Sequence, residues 1–290
     1  MPAENIILGN GAAEIIFILA RLLNLKEALI PAPTFSEYEI ATAGCGSRVR
    51  YFDLDRKQGF RPDADKLAHS LPGADIVFVC NPNNPTGCLM EAGDVMKIVR
   101  AGQKTNTLVV VDEAFLDFLP DKDRYSVVHE VVQNPNLFVL YSLTKFFAVP
   151  GLRLGAAIGS REIIERLDRA KDPWNVNTLA QAAGTASLMD KEYIRRTVDF
   201  ISGEKEFLYQ ALSRVDGLRP YPPAANYILV DISGTGYTSG ELRDILGRQG
   251  ILIRDCSSYR NLGENYIRVA VRNREDNIKL IKAMQAGIGD

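Results

Sequence analysis

The chain has 290 residues, 46% hydrophobic and 24% charged, with a formal net charge of −2; such a chain can bury a core for one large domain and a smaller one, and its dispersed charge excludes the electrostatic footprint of nucleic-acid or membrane binding. Four cysteines without a CxxC pair (Cys45, Cys80, Cys88 and Cys256) and only two histidines (His69 and His129) argue against a disulfide scaffold, a metal site and Ser-His-Asp chemistry. No apolar run approaches the roughly 20 residues of a membrane span and no signal core opens the chain, so a reducing, cytoplasmic setting and small-molecule partners are expected.

In chain order, the turn Gly9-Asn10-Gly11-Ala12-Ala13 opens a predicted helix over residues 14–23, where Ile15, Ile16, Ile18, Leu19, Leu22 and Leu23 form one apolar face. Its start offers backbone N–H groups and a positive dipole end to an anion, with a plain helix cap as the alternative. Runs rich in β-branched residues then alternate with helical patterns: 28–31, 49–53, 75–80, 107–112, 137–142 and 154–158. This alternation predicts an α/β architecture with a largely parallel, helix-covered sheet.

Beyond about Trp174 the pattern turns to long helices, then a strand at 227–231, a helix near 239–249, and strands near 251–254 and 266–271. These predict a smaller α+β domain packed on the first, with the division at 1–200 and 201–290.

Ligands in open α/β sheets sit where strands end, and three such ends are unusual here. After strand 75–80 comes Asn81-Pro82-Asn83-Asn84-Pro85-Thr86-Gly87, whose prolines and glycine force a rigid loop; a simple tight turn is the bland alternative. The apolar strand 109–111 ends in Asp112, an acid that requires a cation, either from a structural salt bridge or from a protonated pyridine nitrogen. Ser142-Leu143-Thr144-Lys145 follows another buried strand and precedes Pro150-Gly151-Leu152-Arg153; alone, Lys145 is equally compatible with a solvated strand end.

In this order and spacing the three motifs resemble the fold-type I pyridoxal-phosphate enzymes, aminotransferase class I/II, over essentially the whole chain, implying an aspartate aminotransferase-like fold. The resemblance implies a Schiff-base role for Lys145 and a pyridine-nitrogen contact for Asp112, which would keep the ring an electron sink. It also implies that Asn84 bonds the ring hydroxyl, that Phe35 stacks on the ring, and that Gly11, Ala12, Ala13, Ser142, Thr144 and Arg153 surround the cofactor phosphate. Asn177, Arg254 and Arg268 are the implied substrate-binding positions, with Arg272 a further candidate, since arginine's planar fork suits carboxylate and phosphate.

Within the family the chain looks most like the branch containing histidinol-phosphate aminotransferase and threonine-phosphate decarboxylase. Phe115, where aminotransferases usually have tyrosine, together with Pro173-Trp174-Asn175-Val176-Asn177 and the stretch 255–263, leans toward the decarboxylase, an enzyme of cobalamin biosynthesis. The substrate expected is a small phosphorylated amino acid and the assembly a homodimer. Relatives carry several dozen residues ahead of the glycine-rich helix start, including an arm to the partner subunit, whereas eight residues precede Gly9 here, so that part is expected to be missing. A second class of function is a non-catalytic cofactor-binding dimer, as in the sensor half of a pyridoxal-phosphate-dependent regulator.

Overall fold

The computed structural model describes residues 1–289. Its main sheet contains β1 (Ile6–Gly9), β2 (Glu27–Ala32), β3 (Arg48–Asp53), β4 (Ile76–Cys80), β5 (Leu108–Asp112), β6 (Leu137–Ser142) and β7 (Gly155–Ile158), in the order β1-β7-β6-β5-β4-β2-β3. Strands β2 to β6 run parallel, whereas β7 is antiparallel to β6 and β1 is antiparallel to β7. Helices α1 (Ala12–Leu23), α2 (Glu37–Gly44), α3 (Ala64–His69), α4 (Ala92–Thr105), α5 (Leu143–Phe146) and α6 (Arg161–Ala170) fill the connections.

The period-two alternation of β5 explains why the sheet is covered on both faces. Val110 packs with Ile16, Leu19 and Leu167 of α1 and α6, while Val109 and Val111 pack with Leu67, Val95 and Ile98 of α3 and α4. Burying each such aliphatic side chain contributes about 1.5–3 kcal/mol, so the continuous apolar runs read from the sequence mark the centre of the domain.

The C-terminal part begins with α7 (Thr178–Met189) and α8 (Lys191–Leu212), which runs unbroken through residue 200. A second sheet, ordered β10-β11-β9-β8, comprises β8 (Arg219–Pro220), β9 (Tyr227–Asp231), β10 (Arg254–Asp255) and β11 (Tyr266–Ala270), backed by α9 (Ser239–Arg248) and α10 (Arg274–Gly289). Ile201, Leu208 and Leu212 of α8 share a core with Ile228, Val230, Ile267 and Val269 of this sheet. Thr238 caps α9 through a reciprocal capping box with Glu241, as the sequence pattern Thr-x-x-Glu requires. No helix among the described residues is long and apolar enough to cross a membrane.

Three details differ from the sequence expectation. The segment 251–253 is not a strand: the chain leaves α9 through Gly250 at φ 76°, Ile251 N–H bonds back to Leu246 O, and pairing starts only at Arg254. The strand predicted at 154–158 forms, but it runs against the parallel direction. Two short strands complete their sheets by antiparallel pairing: β1 with β7, about 150 residues later, and β8 with the next strand, β9.

Candidate active site

The order of the sheet reverses at β2, which has β3 on one side and β4 on the other, and this opens a crevice at the carboxyl ends of the strands. A cavity of about 390 Å³ occupies that end, within the size range of small-molecule sites. It collects residues from the ends of β2 (Phe35), β4 (Asn84), β5 (Asp112 and Phe115) and β6 (Ser142, Thr144 and Lys145). Gly11, Ala12, Ala13 and Arg153 close one side, and Arg254 and Arg268 of the second sheet close the other.

Asp112 is buried, and both of its oxygens are engaged. Oδ1 accepts from Ala114 N–H at 3.0 Å and Oδ2 from the Tyr38 hydroxyl at 2.6 Å. Burial pushes the carboxyl above its ordinary value, opposed by these two donors and by the charge of Lys145. The Lys145 ammonium is held below its usual range, first by desolvation and then by the positive charges of Arg153 and Arg268, with Asp112 opposing. A lysine so placed has a larger neutral fraction at ordinary pH, which is the nucleophilic form.

The loop carrying Asn84 is tied down from several sides. Asn81 exchanges two hydrogen bonds with the backbone of Met90, Asn83 donates to Pro33 O and Thr86 Oγ1, and the Tyr227 hydroxyl donates to Asn83 O at 2.9 Å. With its neighbours spent on structure, Asn84 presents its side chain to the cavity, where its oxygen accepts from Arg268. Phe35 and Phe115 form apolar walls, Phe115 edge-on to Tyr227 at 5.0 Å.

At the opposite side, Gly11 precedes α1 with φ 84° and provides no side-chain cap, leaving the first N–H groups of the helix available. Its φ of 84° favours glycine, and a Cβ there would stand 2.7 Å from the movable end of the Arg153 side chain. Gly155 of β7 is equally constrained, because a Cβ there would run into the backbone of Gly11 and Ala12. Ser142 Oγ and Thr144 Oγ1 lie 2.8 Å apart at the same edge, both residues buried.

Arg254 and Arg268 face each other in the register of β10 and β11, which puts two like charges side by side. Such a cross-strand pair is destabilising unless an anion is shared between them. Arg268 lies 4.9 Å above the Tyr227 ring, and Arg254 lies 5.6 Å above that of Tyr259 and reaches Ser258 Oγ.

Twelve of the fourteen site positions picked out in the sequence, all but Asn177 and Arg272, thus line one cavity. Asn177 is not among its lining residues: it is the exposed N-cap of α7, where its side chain accepts from Ala180 N–H and donates to Leu152 O. Arg272 is spent on an ion pair with Asp276. Tyr38, Cys80 and Tyr259 were not anticipated; Tyr259 and Cys80 line the cavity, and Tyr38 lies fully buried behind Asp112.

An amine at the mouth, a buried carboxylate beneath it, aromatic walls, and a cradle of free N–H groups with an arginine are the chemical complements of a phosphorylated pyridine aldehyde. The open Gly11 cradle and the engaged but acceptor-competent Asp112 fit that group, and the class is therefore a pyridoxal-phosphate-dependent enzyme. The chain belongs to the aminotransferase class I and II family, whose model matches residues 1–284. It is 37% identical over 286 residues to the threonine-phosphate decarboxylase of Salmonella typhimurium, covering 98% of this chain and 77% of that protein. It is 32% identical over 289 residues to the histidinol-phosphate aminotransferase of Methanococcus aeolicus, covering 98% and 76%. The crystal structure of the histidinol-phosphate aminotransferase from Clostridium acetobutylicum superposes with a TM-score of 0.92 at 30% identity, over 98% of this chain and 84% of that one.

Proposed function

We propose that this chain decarboxylates L-threonine O-3-phosphate to (R)-1-aminopropan-2-yl phosphate, a step of cobalamin biosynthesis. The observation that carries this reading is Phe115. Its ring forms a cavity wall with no hydroxyl, at the position where the family's aminotransferases usually place a tyrosine against the cofactor ring. The 37% identity to the Salmonella typhimurium decarboxylase, against 32% to the Methanococcus aeolicus aminotransferase, supports it.

Pyridoxal phosphate, when bound, draws the electron pair left at the substrate's α-carbon into its conjugated ring. Lys145 would hold the cofactor, and its amine is the group placed to deliver a proton to the substrate carbon that loses its carboxylate as CO2. Asp112 would accept the ring N–H, Asn84 would contact the ring hydroxyl, and Phe35 would cover the ring face. The α1 start, with Gly11, Ala12, Ala13, Ser142, Thr144 and Arg153, would take the cofactor phosphate. Arg254 and Arg268 hold the two anionic groups of the substrate and orient its carboxylate for loss.

We further propose a homodimer, supported by the exposed apolar side chains of Trp174, Leu179 and Met189 at 92%, 71% and 74% exposure. Sedimentation showing only monomer at assay concentration would remove that part.

The chemistry is tested by turning over threonine phosphate in D2O. Decarboxylation releases CO2 and places one solvent deuterium on the carbon that bore the carboxylate, with the original α-hydrogen retained. Loss of that hydrogen to solvent without CO2 assigns the chain to transamination instead.

A further inference from the structure

Asp112 reaches the cavity from the end of β5, and a carboxylate there is useful only if it stays charged and aimed. Two donors hold it. One, Ala114 N–H, belongs to its own turn; the other, the Tyr38 hydroxyl at 2.6 Å, comes from a residue 74 positions earlier. Tyr38 sits in the first turn of α2 with none of its surface exposed. Its ring stacks on Phe78 of β4 at 4.7 Å and 9°, and its face or edge meets Phe35 at 5.5 Å and 83°. The phenol is thus clamped between the strand beneath the cavity and the aromatic wall of the cavity itself, and its hydroxyl donates to Asp112, with the Cys80 thiol also beside it.

We propose that Tyr38 is the positioning residue of Asp112: its hydroxyl fixes the carboxylate's orientation and keeps it an ionised acceptor, and its ring couples that carboxylate to Phe35. This rests on the cofactor role of Asp112 given above, and not on which substrate is turned over. Hydrogen bonding to the charged form offsets the burial that otherwise favours a neutral acid. The other titratable groups facing Asp112 leave this task to Tyr38. Lys145 lines the cavity, the side from which a ligand would meet Asp112. Burial pushes the Cys80 thiol up to about 12, so it remains neutral, and its Sγ is directed to Pro82 O. Glu113, on the next residue, turns away to Val127 N–H and Ser126, and Tyr227, its pKa raised by burial, points to Asn83 O.

The test follows the Asp112 carboxyl directly. In full-length protein labelled with carboxyl-13C aspartate, the Asp112 resonance is assigned by its loss in Asp112→Asn and titrated without cofactor. Tyr38→Phe keeps the ring stack and removes the donor; Asp112 then titrates at higher pH, and the dissociation constant of pyridoxal phosphate, measured by equilibrium dialysis, rises roughly tenfold or more. Incorporation of 3-fluorotyrosine at position 38, a stronger donor of nearly the same shape, shifts the titration the other way and decides the matter even if the phenylalanine variant folds poorly. A tyrosine that only fills space would alter thermal stability but leave the Asp112 titration and the cofactor affinity where they were, and that result overturns the proposal. Failure of the decarboxylase reading would leave this titration untouched, because no substrate is present.

Discussion

Arg268→Ala isolates the substrate end of the cavity. The side chain is partly buried, donates to Asn84 and stacks 4.9 Å above Tyr227, so its fork is pre-ordered before a ligand arrives. A charge-assisted contact to a substrate anion is worth about 1.5–3 kcal/mol, which is one to two decades in kcat/KM. The loss stops short of abolition because Arg254, its register partner, remains as a cation beside the vacated space. Arg268→Lys restores the charge without the planar fork and should fall between the two. The assay is CO2 release from threonine phosphate against substrate concentration, with the absorbance of bound cofactor recorded on the same samples. The expected result is a depressed kcat/KM with a nearly unchanged cofactor spectrum. An unchanged kcat/KM, or loss of the cofactor itself, refutes the assignment of Arg268 to the substrate.

Borohydride reduction of the holoprotein, followed by peptide mapping, should put the pyridoxyl label on Lys145, and a label on any other lysine rejects the placement of the cofactor. Gly11→Ala forces a side chain into a φ of 84° and to 2.7 Å from Arg153, a strain of about 1–3 kcal/mol; cofactor retention on dialysis should drop, and full retention would show that the cradle does not hold the phosphate. Glu113 offers a pH test of stability: burial lifts its carboxyl from 4.5 to about 7, despite the donors Val127 N–H and Ser126. Because the folded value lies above the unfolded one, its stabilising contribution is complete below about 4.5 and is lost as pH rises toward 7. Glu113→Gln should therefore flatten the decline in Tm across that window, and the same slope in both proteins would show that Glu113 is not its source.

The fold was legible wherever a segment's environment is uniform along its length. Val109, Val110 and Val111 are buried whichever face they take, so composition alone marks β5 as a central strand. Local punctuation was equally informative: Asn84, Asp112 and Lys145 each stand just past such a run, and a parallel sheet brings those ends together without further instruction. What escaped depends on partners remote in sequence. β1 is four residues long and is a strand only because β7 pairs with it, and Ile251 to Ile253 have strand-like side chains but lie outside the ladder. Tyr38 carries no local sign of function, since its significance is a hydrogen bond to a residue 74 positions away. For Asn177 the local signal was the better guide: an asparagine directly before a helix is an N-cap by residue preference, and that is the place it takes.

The most direct measurement of the reaction is a side-by-side product analysis of one protein preparation loaded with pyridoxal phosphate. One sample receives threonine O-3-phosphate alone, and the other receives histidinol phosphate with 2-oxoglutarate. The proposed function predicts CO2 and aminopropanol phosphate in the first sample, with no keto acid required, and no turnover in the second. Absence of CO2 from the first sample, with conversion of histidinol phosphate to its ketone in the second, would contradict it and assign the chain to the aminotransferases.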